Sequence, residues 1–151
     1  MGKARKGKWP KLMVSAGGQG IPLGVHLSPA NLAESQLAEA TLARVAVPRP
    51  GRGRPKQKPE RITAARGYDS RQLWVRVKQR GIQLIAPRLS TRKHRCQDGR
   101  GPRRYKRRWI VERANVRLHA FRHLVTRCEN KLENYSGFVH VACMLIALRQ
   151  F

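Results

Sequence analysis

Apolar residues along the 151-residue chain fall into short runs and longer helical stretches, set apart by Gly, Pro and basic residues. Leu12-Met13-Val14 and Ile21-Pro22-Leu23-Gly24-Val25-His26-Leu27 flank Gly17-Gly18-Gln19-Gly20, which predicts a β-hairpin. From Asn31 to Val45, Leu32, Leu37, Ala40 and Leu42 recur at roughly helical spacing. Arg61 to Ala65 predicts a short buried strand ending at Gly67. Ser70 is a candidate N-cap for a helix through Leu73, Val77 and Gln79 that Gly81 would stop. Ile82 to Ala86 predicts a further strand, halted at Pro87.

A long helical pattern then runs from about Tyr105 to Lys131, carrying Trp109, Val116, Leu118, Phe121 and Leu124, with Trp109 expected in the core. The last predicted helix, Tyr135 to Phe151, is apolar on nearly every side, which predicts burial in the core. The order β-β-α-β-α-β-α-α predicts a single α/β domain over residues 1–151. Two segments have no period. Residues 48–60 are rich in Pro, Gly and basic side chains, and residues 88–104 are strongly basic, so both are expected to be loops.

Charge changes this otherwise ordinary picture. Thirty-three Lys and Arg stand against eight Asp and Glu, a formal net charge of +25. Such a surplus repels itself in a compact chain and calls for a polyanion, DNA or RNA first and an anionic membrane surface second. No run approaches the roughly 18 apolar residues of a membrane span. The basic start Met1 to Lys8 has no apolar segment and cleavage site behind it, which predicts that the chain is not secreted. Cys96, Cys128 and Cys143 are odd in number and far apart, so reduced thiols in a cytoplasm are expected.

Candidate chemistry is sparse. No Asp or Glu precedes Glu34. His119 and His123 have the i, i+4 spacing of two zinc ligands, but Ala120 stands where His-Glu-x-x-His needs Glu, and no Cys pair lies near. No nucleophile and base pair has a local signature. Glu112 follows Arg108 by four residues and has two readings, a metal ligand or an ion-paired helix residue.

Several blocks together resemble one family. They are Gly20-Ile21-Pro22-Leu23, Ser28-Pro29-Ala30-Asn31-Leu32-Ala33-Glu34-Ser35, Ala64-Ala65-Arg66-Gly67-Tyr68-Asp69-Ser70, and Tyr105-Lys106-Arg107-Arg108-Trp109-Ile110-Val111-Glu112-Arg113. The closing stretch from Phe121 to Leu124 and from Tyr135 to Arg149 fits as well. The chain thereby resembles the C-terminal portion of the RNase H-like catalytic domain of insertion-sequence DDE transposases. The most specific element is the signature Tyr-x2-Arg-x3-Glu-x6-Lys, met by Tyr105, Arg108 and Glu112, with His119 in place of the Lys.

The resemblance implies an RNase H-like mixed sheet with flanking helices and a helical C-terminus, truncated by loss of its first catalytic strand. It implies DNA as partner, and three carboxylates holding Mg²⁺ or Mn²⁺ for phosphodiester cleavage and strand transfer. Glu112 stands at the third carboxylate position and would be the metal ligand. Ala65 occupies the second position, and the first lies on the absent strand. Arg103, Arg104, Tyr105, Lys106, Arg107, Arg108 and His119 are the expected DNA contacts. The expectation is therefore an inactive family fragment that holds no metal by itself. Its expected protein partners are a second copy or a separately encoded N-terminal fragment. The alternative is a non-enzymatic basic protein that binds DNA or RNA.

Overall fold

The computed structural model of the chain describes residues 10–48, 51–88 and 105–150. The hairpin forms where the apolar runs predict it. Strands β1 (Pro10–Ala16) and β2 (Pro22–Pro29) pair antiparallel, with a bulge between Ser15 and Ala16. Leu12 and Val14 lie opposite Leu27 and Val25, so period-two alternation sets all four on one face. That face packs on a core of Leu118, Leu124, Tyr135, Val139, Ala142 and Ile146.

Helix α1 (Glu34–Ala43) lies against the hairpin and is shorter than the predicted span at both ends. The chain turns first at Leu32, whose N–H bonds the Pro29 carbonyl at 3.4 Å, and Ala33 stays extended. The Thr41 hydroxyl, buried in α1, is satisfied by the Leu37 carbonyl at 2.8 Å. Gly24 permits the close packing of the helix end on the hairpin. A Cβ there would stand 3.0 Å from backbone atoms of Arg44 and Val45.

A second, smaller core forms around a β-α-β unit. Strand β3 (Arg61–Thr63) pairs parallel with β4 (Gln83–Ile85), and α2 (Arg71–Gln79) connects them. Leu73 and Val77, one turn apart and each 1% exposed, join Ala38, Ile82 and Leu84. Helix α2 stops at Gly81, whose φ of +66° is a left-handed conformation that glycine adopts without strain. Ser70 occupies the N-cap position as predicted, though its side chain makes no capping bond. β3 ends earlier than predicted because residues Arg66–Tyr68 wind into a 3-10 turn, where the Tyr68 N–H bonds the Ala65 carbonyl at 3.0 Å. Within the predicted loop 48–60, Lys56 forms an isolated bridge to Val47 through bonds of 2.8 and 2.9 Å. The basic segment 89–104 lies outside the described residues.

The long helix predicted from Tyr105 to Lys131 is instead broken. A 3-10 turn, Lys106–Arg108, leads into α3 (Trp109–His119), followed by the short α4 (Arg122–Val125). The break falls at Phe121, which is extended, and it folds Phe121 and Leu124 onto the same core as Leu118. The Leu124 carbonyl then accepts the buried Tyr135 hydroxyl at 3.1 Å. Trp109 and Val116 are exposed rather than in the core, because Ile110, Ala114 and Leu118 form the buried stripe of α3.

The final helix, α5 (Leu132–Leu148), is also more one-sided than predicted. Tyr135, Val139, Ala142 and Ile146 are buried at spacings of four and three, while Phe138, Val141, Met144 and Leu148 are exposed. Among the described residues no helix is long and apolar enough to cross a membrane.

The described residues form a mixed α/β fold, but among them the strands do not join into the one mixed sheet that the family resemblance implies. They form two sheets of two strands each, β1–β2 and β3–β4.

Candidate functional site

Between the two sheets lies a cavity of about 750 Å³, lined by β1 from Lys11 to Ala16 and by Arg61 to Ala65 of β3 and its end. α3 and the turn before it close one side, so Arg107, Arg108 and Glu112 reach the same cavity. The lining of this one cavity thus includes both Ala65 and Glu112, which are far apart in the chain.

The signature residues form a chain of contacts. An Arg108 guanidinium nitrogen lies 3.0 Å from a Glu112 carboxylate oxygen, and its other terminal nitrogen donates to the Tyr105 hydroxyl at 2.8 Å. Spacings of three and four place the three on one stripe of the turn and helix. The Glu112 side chain is 56% exposed, so the pair contributes only about 0.3–0.5 kcal/mol. Its effect is to hold the carboxylate toward a cation of the chain itself. His119 lies seven residues beyond Glu112, two turns along the same stripe, and is exposed. Arg107 is exposed as well. Lys106 lies in the 3-10 turn, and Arg103 and Arg104 lie outside the described residues.

Two contributors were not singled out in the sequence. Arg113 stacks on Trp109, its guanidinium carbon 4.7 Å from the ring centroid, and donates to the Gln19 carbonyl at 3.3 Å. The i, i+4 spacing of Trp109 and Arg113 carried that signal. Glu34, on α1, also lines the cavity. Its carboxylate stands close to Gly67 and, together with burial as the larger cause, pushes the Tyr68 phenol up to about 12. Nothing in the sequence spacing links Glu34 to Tyr68. Asp69, four residues past Ala65, is buried and does not line the cavity.

Among the described residues, the donors do not fit a metal centre of the DDE kind. Among the described residues no three His, Cys, Asp or Glu side chains converge where they could hold a metal ion. The Ala65 methyl offers no oxygen, and Glu112 is engaged by Arg108. His123 does not complete a site with His119. It stacks on Phe138, centroids 5.0 Å apart, with Glu129 3.9 Å from its Nδ1. Burial pushes the Cys143 thiol up to about 11, which leaves it protonated and unreactive at neutral pH.

The comparisons with known proteins agree with the signature. The Transposase DDE domain family matches residues 2–147. A putative transposase for insertion sequence element IS402 from Burkholderia cepacia is 32% identical over 144 residues, covering 95% of this chain and 64% of the relative. The chain therefore spans less than two thirds of the length of that curated relative. No solved structure matches the chain. With the match running from end to end through the hairpin, the Gly67-Tyr68-Asp69-Ser70 block and the Tyr105–Arg108–Glu112 stripe, the chain belongs to the Transposase DDE domain family of insertion sequences.

Proposed function

We propose that the chain is a DNA-binding part of an RNase H-like transposase domain whose cleavage centre is incomplete in these 151 residues. What supports this reading is that Ala65 and Glu112 line one cavity; by the family resemblance they stand at the second and third carboxylate positions, and Ala65 offers only a methyl group. In the family Mg²⁺ or Mn²⁺ would polarise the phosphodiester and generate the attacking oxygen, work that needs carboxylates at all three positions. This reading assigns no bound metal to the chain by itself. Its protein partners are a second copy or a separately encoded N-terminal fragment.

The binding surface in this reading is the basic segment that leads into α3, with Arg103, Arg104, Tyr105, Lys106, Arg107 and Arg108, together with His119 at the far end of α3. Arg113, held over Trp109, extends it. Lys and Arg side chains contact phosphates, which carry no base identity, so binding is expected to be nearly indifferent to sequence. The net charge of +25 supports a dominant contribution from counterion release.

Titration of two unrelated labelled duplexes across a salt series tests the reading. Both are expected to weaken in parallel, with log K falling linearly against log salt by about 0.9 per neutralised phosphate. Affinity that ignores salt, or one duplex held far more tightly than the other at every salt, would contradict it. Equal affinity for single-stranded RNA of matched length would favour the alternative, a basic protein without preference for DNA.

A further inference from the structure

We infer that the exposed apolar stripe of α5 is a docking surface for the same stripe of a second copy, helix against helix and antiparallel. This rests on the proposal that a second copy is a partner, and it adds the surface and the register.

Two features coincide on α5. The chain carries 33 Lys and Arg, yet residues 132–148 hold none, and Lys131 and Arg149 stand just beyond the two ends. Among the described residues, six of the eleven exposed large apolar side chains lie on this helix: Leu132, Phe138, Val141, Met144, Leu145 and Leu148. Single apolar residues at a surface are ordinary, whereas a contiguous apolar patch with a charged rim marks an interaction surface. Residues 12–43 also lack Lys and Arg, but their one exposed large apolar side chain is Leu32.

The exposed residues are also ordered. Phe138, Val141, Leu145 and Leu148 recur at spacings of three, four and three, the seam spacing of paired helices. They make a second stripe beside the buried one of Tyr135, Val139, Ala142 and Ile146, and none of them lines the cavity between the sheets. His123 stacks on Phe138 with ring centroids 5.0 Å apart, which fixes one end of the stripe. The stripe is symmetric about position 143. Antiparallel pairing about a two-fold axis therefore sets Phe138 against Leu148 of the other copy and Val141 against Leu145. That order also brings the N-terminal end of each helix, with Glu133, toward the C-terminal end of the other, with Arg149, where the dipoles attract. Parallel order would set Arg149 beside Arg149.

Charge selects the occupant. Two copies at +25 each repel across their basic surfaces, and on this stripe they can approach without setting Lys or Arg against Lys or Arg. Residues 1–9 and 89–104 are dense in Lys and Arg and hold no apolar run, so neither offers a complementary cover. The stripe is short, which places the interface below the roughly 1,200 Å² of standard ones and predicts a reversible dimer with a Kd of about 1–100 µM. Apolar contact holds such a dimer and net charge opposes it. Salt that screens the charge should therefore tighten it, the reverse of its effect on DNA binding.

Sedimentation velocity of the full chain without DNA, at up to about 200 µM and across a salt series, is the test. The parent is expected to pass from monomer to dimer with concentration, more readily as salt rises. Val141→Lys puts a charge into the seam and should weaken the dimer about tenfold or more. Val141 is 49% exposed in the single chain, so the urea midpoint of this variant should match the parent's. Leu148→Lys, at the last residue of the helix, gives the same readout should the first variant lose its midpoint. Val116→Lys, on the exposed side of α3, should dimerise as the parent does. Adding Leu145→Glu to Val141→Lys should return part of the lost affinity, because antiparallel order sets each Lys against a Glu of the other copy. DNA binding by Val141→Lys should persist, which separates a failed docking surface from a failed DNA-binding reading. A parent that stays monomeric throughout, a dimer that salt dissolves, or Val141→Lys associating like the parent would overturn the inference. Further loss in the double variant would overturn the antiparallel register.

Discussion

Replacing Arg103, Arg104, Lys106 and Arg107 together with Gln is expected to flatten the salt dependence of DNA binding by about 3–4 units of slope. Each Lys or Arg that neutralises a phosphate displaces condensed counterion, worth about 0.9 in the slope of log K against log salt, and four are removed. Arg108 is left in place because its guanidinium is drawn to Glu112 at 3.0 Å and to the Tyr105 hydroxyl. Arg107 is exposed and lines the cavity beside α3, so its charge is free to face a phosphate backbone. The variant removes no apolar side chain, so its unfolding midpoint should match that of the parent. Affinity should fall most at low salt, and unrelated duplexes should lose it equally. Fluorescence anisotropy across a salt series reads both slope and affinity. A variant that binds with the parent's slope would show that the contacts lie elsewhere, with residues 48–60 the next basic segment to replace.

The second large effect concerns the core that positions α3. Leu118 is fully buried, at the meeting of the hairpin face, α4 and α5. Leu118→Ala should cost about 2–5 kcal/mol, the lost transfer energy plus a cavity that rigid neighbours fill only in part. For a domain of ordinary stability, about 5–15 kcal/mol, that is a substantial fraction of the whole. Leu118 lies on the same helix as Glu112, less than two turns beyond it, so loosening this core should also weaken DNA binding. The paired control is Val116→Ala on the same helix. Val116 is 69% exposed, and its truncation should change stability by no more than about 0.5 kcal/mol. Urea denaturation of the two variants should separate their midpoints clearly. Coincident midpoints would mean that the chain is not organised around this core.

Local elements were legible where one principle governed them. The hairpin follows from two apolar runs around a Gly-rich turn, and α2 from Leu73 and Val77 at helical spacing with Gly81 at its end. The break at Phe121 was not legible, because Tyr105 to Lys131 keeps a helical period through it. Tertiary packing decides there: the chain bends to return Leu124 to the core, where Tyr135 bonds its carbonyl. Burial was read too generously for apolar helices. Periodicity reports composition, and only neighbours decide which of the apolar positions of α5 are covered.

The site was legible in part. The Tyr105, Arg108 and Glu112 spacing indicated one helical stripe, and the structure adds that Arg108 joins the other two. The cavity shared by Ala65, Glu34 and Glu112 depends on contacts between distant elements, which no local spacing encodes. The separation of the strands into two sheets was likewise invisible. Strand partners are set by long-range pairing, and the sequence shows only that strands exist.

The most direct measurement of the central claim is a plasmid nicking and strand-transfer assay with the full chain in Mg²⁺ or Mn²⁺, run under salt at which DNA is bound. The expected result is bound but intact DNA, unchanged by Glu112→Gln, and no rescue by Ala65→Asp alone, because one restored carboxylate in addition to Glu112 leaves the set of three incomplete. Metal-dependent nicking by the parent chain that disappears in Glu112→Gln would contradict it.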